Sequence, residues 1–231
     1  MIKALKTYLL LFVISSLYSQ QIKGIHAQFE RKIIEDTSID SVSGEIYIAF
    51  PNLVYISISN PLDQIMVLTE DEMKIYYPNR NVGFRYISSS LLSTGWLVAL
   101  CRGRLDDLLP RLNLKLFGAK THGETTVTIW KPIKRKSRKK FAIEVHKSGG
   151  LVRKIVTIAK KDTIAINIYK KYELVSKNFY FPILIVNDTY SGKAITREII
   201  KLSNPEALKR IPQNIVDFQF PPDARIKIYE Y

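Results

Sequence analysis

The sequence predicts a mainly β (α+β) fold: a strongly curved antiparallel sheet forming an incomplete barrel, with a few short helices covering its concave apolar face. Three observations carry this. Period-two alternation of β-branched and aromatic residues recurs along most of the chain, broken by turn clusters. Residues 44–77, GEIYIAFPNLVYISISNPLDQIMVLTEDEMKIYY, present one almost purely aliphatic face. A gap in the strand pattern, from about residue 90 to 110, carries helical spacing instead. Many sequential strands with few helices give one large sheet with helices laid on one side.

The elements follow in order. A first strand covers residues 25–34. In 44–77, Pro51-Asn52 and Asn60-Pro61 turns separate short strands, and Ile46, Ile48 and Phe50, then Val54, Ile56 and Ile58, share a face. The other face offers Tyr47, Ala49, Tyr55, Ser57 and Ser59. A strand at 82–87 precedes the gap. There Leu92, Trp96 and Leu100 fall at i, i+4 and i+8, one helical stripe, with Ser88 to Ser90 as N-cap candidates and Gly103 as a stop. A shorter helix at 105–109 ends at Pro110, and a third is expected at 205–210. Strands at 125–130 and 141–145 form a hairpin with Phe141, Ile143 and Val145 on one face. Gly149-Gly150 turns into 152–159. Ile164, Ile166 and Ile168 then share a face opposite Thr163, Ala165, Asn167 and Tyr169. Strands at 181–187 and 195–202 form a hairpin around Ser191-Gly192, which puts Asn187-Asp188-Thr189 in a turn. Segments 218–220 and 226–229 close the chain as strands.

At 231 residues the chain fits one domain, expected over 20–231 behind a leader at 1–19. Lys3 and Lys6, an apolar run from Tyr8 to Ile14 and small residues up to Ser19 have the order of a cleaved export signal. The apolar run is shorter than the roughly 20 residues a bilayer span needs. No cysteine follows it, and the single cysteine, Cys101, excludes an internal disulfide and reads as a small buried hydrophobe. The mature protein is expected to be exported and soluble, with a core and hydrogen-bond ladders as the only fastenings and a monomer as the expected state.

The formal charge of +14 attracts the protein to anionic surfaces. Much of the excess lies in residues 131–140, KPIKRKSRKK. Export, and the lack of aromatics in that run, speak against nucleic acid. A solvated hairpin tip with weak attraction to an anionic lipid surface is the expected role.

Catalytic patterns do not emerge. His26, His122 and His146 lack metal-ligand spacing, so no metal and no cofactor is expected. Asp106-Asp107 and Glu70-Asp71-Glu72 read as solvated charge, because no apolar run embeds them. No phosphate-binding Gly-rich loop and no nucleophile elbow is present. An enzyme would need a polar cluster inside the cavity, and the sequence offers none.

Residues 44–77 resemble the core motif of the LolA family of periplasmic carriers of outer-membrane lipoproteins. The matching residues are Gly44-Glu45-Ile46-Tyr47-Ile48, Pro51-Asn52-Leu53, Asn60-Pro61, Ile65-Met66-Val67 and Tyr76-Tyr77-Pro78. Ala27-Gln28-Phe29 is similar to the family's first strand. Phe218-Gln219-Phe220-Pro221-Pro222-Asp223-Ala224-Arg225-Ile226 is similar to its Phe-x-Phe-x-Pro-Pro close. The segment 181–202 matches the extra hairpin of the broader lipoprotein-sorting group. Three departures stand out: only residues 20–24 remain of an opening amphipathic helix, Phe50 replaces the basic residue before Pro-Asn that latches the lid, and Thr69-Glu70-Asp71 replaces an Asp-Gly turn.

The resemblance implies a cavity for lipoprotein acyl chains lined by Ile46, Ile48, Phe50, Val54, Ile56, Ile58, Val67 and Ile75. Leu92, Trp96 and Leu100 would cover it, with Phe141, Ile143, Ile164 and Ile166 completing the apolar lining. It further implies loading from an inner-membrane ABC lipoprotein-release complex and unloading to an outer-membrane acceptor. An envelope stress sensor on a similar half-barrel, or a carrier of another lipid, stays open.

Overall fold

The computed structural model describes residues 22–87, 105–133, 141–177 and 179–230. The leader, Cys101, the Leu92/Trp96/Leu100 stripe and most of the basic run lie outside these residues. Fourteen strands form one sheet. They are β1 (Gly24–Glu35), β2 (Ser38–Ala49), β3 (Leu53–Asn60), β4 (Gln64–Leu68), β5 (Glu72–Tyr77), β6 (Val82–Ile87) and β7 (Leu114–His122) in the first half. The second half holds β8 (Thr125–Pro132), β9 (Phe141–Ser148), β10 (Leu151–Ala159), β11 (Asp162–Ser176), β12 (Phe179–Ser191), β13 (Ala194–Leu208) and β14 (Arg225–Glu230). Helices α1 (Leu105–Arg111) and α2 (Gln213–Val216) are short, and a single 3-10 turn spans Pro78–Arg80.

The strand order is β14-β6-β5-β4-β3-β2-β1-β13-β12-β11-β10-β9-β8-β7. Each strand pairs with a sequence neighbour except where β13 joins β1 and β14 joins β6. The β14–β6 pairing is parallel and the rest are antiparallel. The sheet is strongly curved but does not close, so β14 and β7 remain as edges. The tight turns fall where the chain supplies residues that accept positive φ: Gly149 and Gly150 at +58° and +77°, and Gly192 at +62°.

Two apolar cores lie on the sheet. In one, Leu105 and Leu109 of α1 pack on Leu114, Trp130, Ile143, Val145, Val152, Ile155, Tyr169 and Ile185. The other gathers Ile25, Ala27, Phe29, Ile46, Ile48, Val54, Leu68, Phe181 and Leu202, and no described helix contributes to it. Ile200 packs against both.

Several expected elements differ. The helix expected at 205–210 is the end of β13, because Glu206, Ala207 and Leu208 pair with His26, Ile25 and Gly24. Ladder hydrogen bonds to β1 there override the helical propensity of Glu-Ala-Leu-Lys. Residues 218–220 form no strand; the rings of Phe218 and Phe220 pack edge-on and tilted against Tyr55 and Tyr76 of the sheet instead. Asn187-Asp188-Thr189 lies within β12, and the turn comes later, at Gly192. Strand β7 and the first half of β2 were not signalled, since Lys-Leu-Phe-Gly-Ala-Lys and Ser-Ile-Asp-Ser-Val-Ser alternate weakly. The 105–109 helix forms and takes Pro110 into its last turn.

Candidate functional site: an apolar wall on the concave face

Register brings the aliphatic positions of residues 44–77 into straight rows. Ile25 lies opposite Ile48, Ile48 opposite Val54, and Val54 opposite Leu68. The next row runs Ala27, Ile46, Ile56, Met66 and Ile75. A third runs Phe29, Gly44, Ile58 and Gln64. Rows two residues apart share a face, so these three form one wall across β1 to β5. On its β13 side the wall continues through Ala207 opposite Ile25 and Leu202 opposite Phe29, with Phe181, Phe179 and Ile183 packed beside them. Ile25, Ile48 and Phe181 are fully buried, whereas Phe50, Ile56 and Ile58 are half-buried at the wall's margin.

Phe50 joins the wall to a cleft at its end. The Phe50 ring lies 6.1 Å from that of Phe179. The same residue lines a cleft of about 440 Å³ with Lys23, Ala49, Pro51, Leu53, Ile211 and Val216. That volume is within the roughly 300–1,000 Å³ of ordinary ligand pockets. Its lining is mainly apolar and is drawn from the β2–β3 turn and α2.

The other predicted residues divide. Phe141 and Ile143 belong to the neighbouring core under α1, not to the wall of β1 to β5. Val67 lies on the opposite face of the sheet, opposite Tyr55 and Lys74. Ile65-Met66-Val67 is apolar on both faces, so alternation alone could not set its phase. Ile166 also lies on the far face, between Val156 and Asp188, and Ile164 falls at a break in register and is 38% exposed. The inward residues of β11 are Asn167 and Tyr169, opposite Ile155 and Ile185 respectively. Burying Tyr169 and hydrogen-bonding Asn167 inverts the phase that the isoleucines suggest. Leu92, Trp96 and Leu100 lie outside the described residues.

A polar row also lies on the face that carries the wall, and the sequence did not reveal it. Arg31 Nε donates to Glu198 Oε1; Asn187 Nδ2 donates to Glu198 Oε2 at 2.6 Å; Asn167 Nδ2 donates to Asn187 Oδ1 at 2.9 Å. These residues come from β1, β13, β12 and β11, one side chain per strand. All are half-buried, with Arg31 and Glu198 side chains 43% and 23% exposed. Leu202 and Ile200, the next inward residues of β13, are apolar, so the row marks where the wall's grease ends. Its members satisfy one another and include no hydroxyl, thiol or amine nucleophile. No local pattern signals it, since Arg31 and Glu198 are 167 positions apart. Among the described residues, no group of three or more His, Cys, Asp or Glu is placed to hold a metal ion.

The outer face of β3 to β6 is covered by the chain's own tail. Phe218 packs at 6.1 Å from Tyr55 and 6.5 Å from Tyr76, and Phe220 at 6.1 Å from Tyr76. Lys74 Nζ reaches the Phe218 carbonyl oxygen, and Asn81 Nδ2 donates to Asp223 Oδ2 at 2.8 Å. Burial, assisted by Glu45, raises the hydroxyl pKa of Tyr47; burial likewise raises that of Tyr55.

The family model of the outer membrane lipoprotein carrier protein LolA matches residues 20–181. The chain belongs to the LolA family. Solved structures share its fold at low identity. A LolA superfamily protein from Nitrosomonas europaea aligns at 11% identity and a TM-score of 0.59, covering 90% of this chain and 97% of that one. A DUF1329 family protein from Desulfovibrio piger aligns at 12% and 0.61, covering 89% and 94%. A domain provisionally described as an outer membrane lipoprotein-sorting protein, from Vibrio parahaemolyticus, aligns at 8% and 0.60, covering 90% and 95%. No curated protein matches the chain. Among the described residues no helix is long and apolar enough to cross a membrane.

Proposed function

We propose that this LolA family member is a periplasmic carrier that takes the acyl chains of lipoproteins onto the concave wall and shuttles them from the inner to the outer membrane. The observation that carries this reading is the wall itself. Three apolar rows on an unclosed sheet, bordered by an apolar cleft, make a surface for alkyl chains. The lining we assign is Ile46, Ile48, Phe50, Val54, Ile56, Ile58 and Ile75, with Phe181 and Leu202 beside them. Leu92, Trp96 and Leu100 are proposed to supply a lid, and Phe50, in place of a basic residue, makes its latch apolar.

Energetics limit how such a carrier works. Each acyl methylene gains about 0.8 kcal/mol on leaving water. A bilayer offers nearly the same, so the wall gains little over the membrane. Loading then needs an energised donor, for which an inner-membrane ABC lipoprotein-release complex fits, and unloading needs a better outer-membrane acceptor. A lid competing with the ligand for one wall supports this: lid contacts favour the closed empty state, and bound chains favour the open one.

Two measurements test the proposal. Mass spectrometry of protein purified from its native envelope should find bound lipoprotein or lipid. Ile56→Glu places a carboxylate at the half-buried margin of the wall, where an unpaired charge is costly. Acyl uptake by this variant should fall to background while its circular dichroism stays native. Undiminished uptake by the folded variant would remove the wall from the site.

A further inference from the structure

Edge strand β7 leaves large apolar side chains in water. Leu116 and Phe117 are 52% and 62% exposed, and Ile133, just past β8, is 54% exposed. Phe117 is the extra residue at a register break between Leu116 and Gly118. The ring of Phe117 holds Lys131 Nζ 3.4 Å from its centroid, and Lys115 lies opposite Lys131. From residue 114 to 133 the charged residues are Lys115, Lys120 and Lys131 against Glu124 alone. The sequence that follows Ile133, KRKSRKK at 134–140, adds six cations and no anion. It lies outside the described residues.

Strand addition is the usual hazard at such an edge, and this one is built against it. A bulge interrupts the ladder, and lysines flank it, the two commonest devices that block edge pairing. The exposed aromatic and aliphatic side chains therefore need another explanation. Exposed apolar side chains on an edge that also carries lysines, with the Lys131 ammonium directly on the Phe117 ring, match the boundary between acyl chains and phosphates, where apolar groups enter and lysines extend to the headgroups.

We propose that the β7 edge docks the protein on an anionic phospholipid surface, with Leu116, Phe117 and Ile133 entering the headgroup boundary and Lys115 and Lys131 meeting the phosphates. This surface is distinct from the wall, and the proposal stands whether or not the wall carries acyl chains. For a carrier, it would hold the protein at the membrane while a chain is exchanged.

Vesicle flotation of the chain, expressed in full and purified after export, tests it. Binding is expected to vesicles of phosphatidylglycerol and phosphatidylethanolamine, not to phosphatidylcholine alone, and should weaken as salt screens the lysines. Leu116→Ser with Phe117→Ser should weaken binding by about tenfold or more. Lys115→Gln and Lys131→Gln should each cost about fivefold. All four sites are on the edge hairpin, so folding is checked by an unchanged melting temperature. Equal binding to neutral vesicles, or unchanged binding by the fourfold variant, overturns the proposal. So does self-association through this edge without vesicle binding. Ile56→Glu separates the two sites: it should lose acyl uptake and keep vesicle binding, and loss of both would mean that vesicles were held through the wall.

Discussion

At the scale of single residues, two positions show how the sheet is held. A Cβ on Gly44 would stand 1.9 Å from the Ser57 carbonyl oxygen, so only glycine permits the close approach of β2 and β3. Asp188 is the one charged or polar residue buried among the described residues, and Arg197 clasps it with two hydrogen bonds, Nε to Oδ1 at 2.7 Å and Nη2 to Oδ2 at 2.9 Å. Those bonds hold the carboxyl below its ordinary range, against the opposing effect of burial. The native state therefore binds this proton less readily than the unfolded chain. The pair's contribution is complete above the ordinary aspartate range, about pH 4, and is lost as pH falls through the lower native value. A charge-assisted bond is worth about 1.5–3 kcal/mol, but the Arg197 side chain is 52% exposed, which screens it. Asp188→Asn should thus cost about 1 kcal/mol at neutral pH. Urea melts at several pH values should show the gap between variant and wild type narrowing as the solution is acidified below the ordinary aspartate range; a gap that does not change with pH would deny the ion pair its role.

At the scale of elements, the polar row sets a boundary that apolar patterning could not show. The wall rows were legible because residues 46–58 alternate cleanly and pair with one another within a few positions. Val67, Ile164 and Ile166 were misplaced where a strand is apolar on both faces or where a tyrosine outcompetes isoleucine for the interior. The row of Arg31, Glu198, Asn187 and Asn167 depends on β13 joining β1, a pairing of distant segments that no local signal encodes. Its consequence is testable. An alkyl chain lying along the wall must stop at groups that would lose their hydration against methylenes. Arg31→Met combined with Glu198→Leu removes the row's two charges together and leaves only the Asn187–Asn167 pair, whereas Glu198→Leu alone also strands Arg31. The single variant should lose stability, by about 1–2 kcal/mol, and the double variant less than the sum of its parts. Competition between fatty acids of increasing length should shift toward longer chains in the double variant; an unchanged preference would show that the row does not limit the wall.

At the scale of the whole molecule, two cores share one sheet, and their coupling decides whether the chain behaves as one domain or two. The core under α1 holds Leu109 fully buried, and the wall core holds Ile48 equally so. Among the described residues the strand order is continuous from β14 to β7, and Ile200 packs against both. Long strands β11, β12 and β13 carry ladder hydrogen bonds from one core to the other. Melting one core would expose the edge of the other, so a break between them costs both packing and hydrogen bonds. We therefore expect a single cooperative transition. Leu109→Ala and Ile48→Ala each remove a buried aliphatic group, at about 2–5 kcal/mol. If the cores are coupled, each substitution lowers the same midpoint, whether unfolding is followed by tryptophan fluorescence in a Trp96→Phe background, where Trp130 alone reports the α1 core, or by far-ultraviolet circular dichroism of the whole sheet. Two separated transitions, with Ile48→Ala moving one and Leu109→Ala the other, would instead make the wall a unit that opens by itself while the rest of the sheet stays folded.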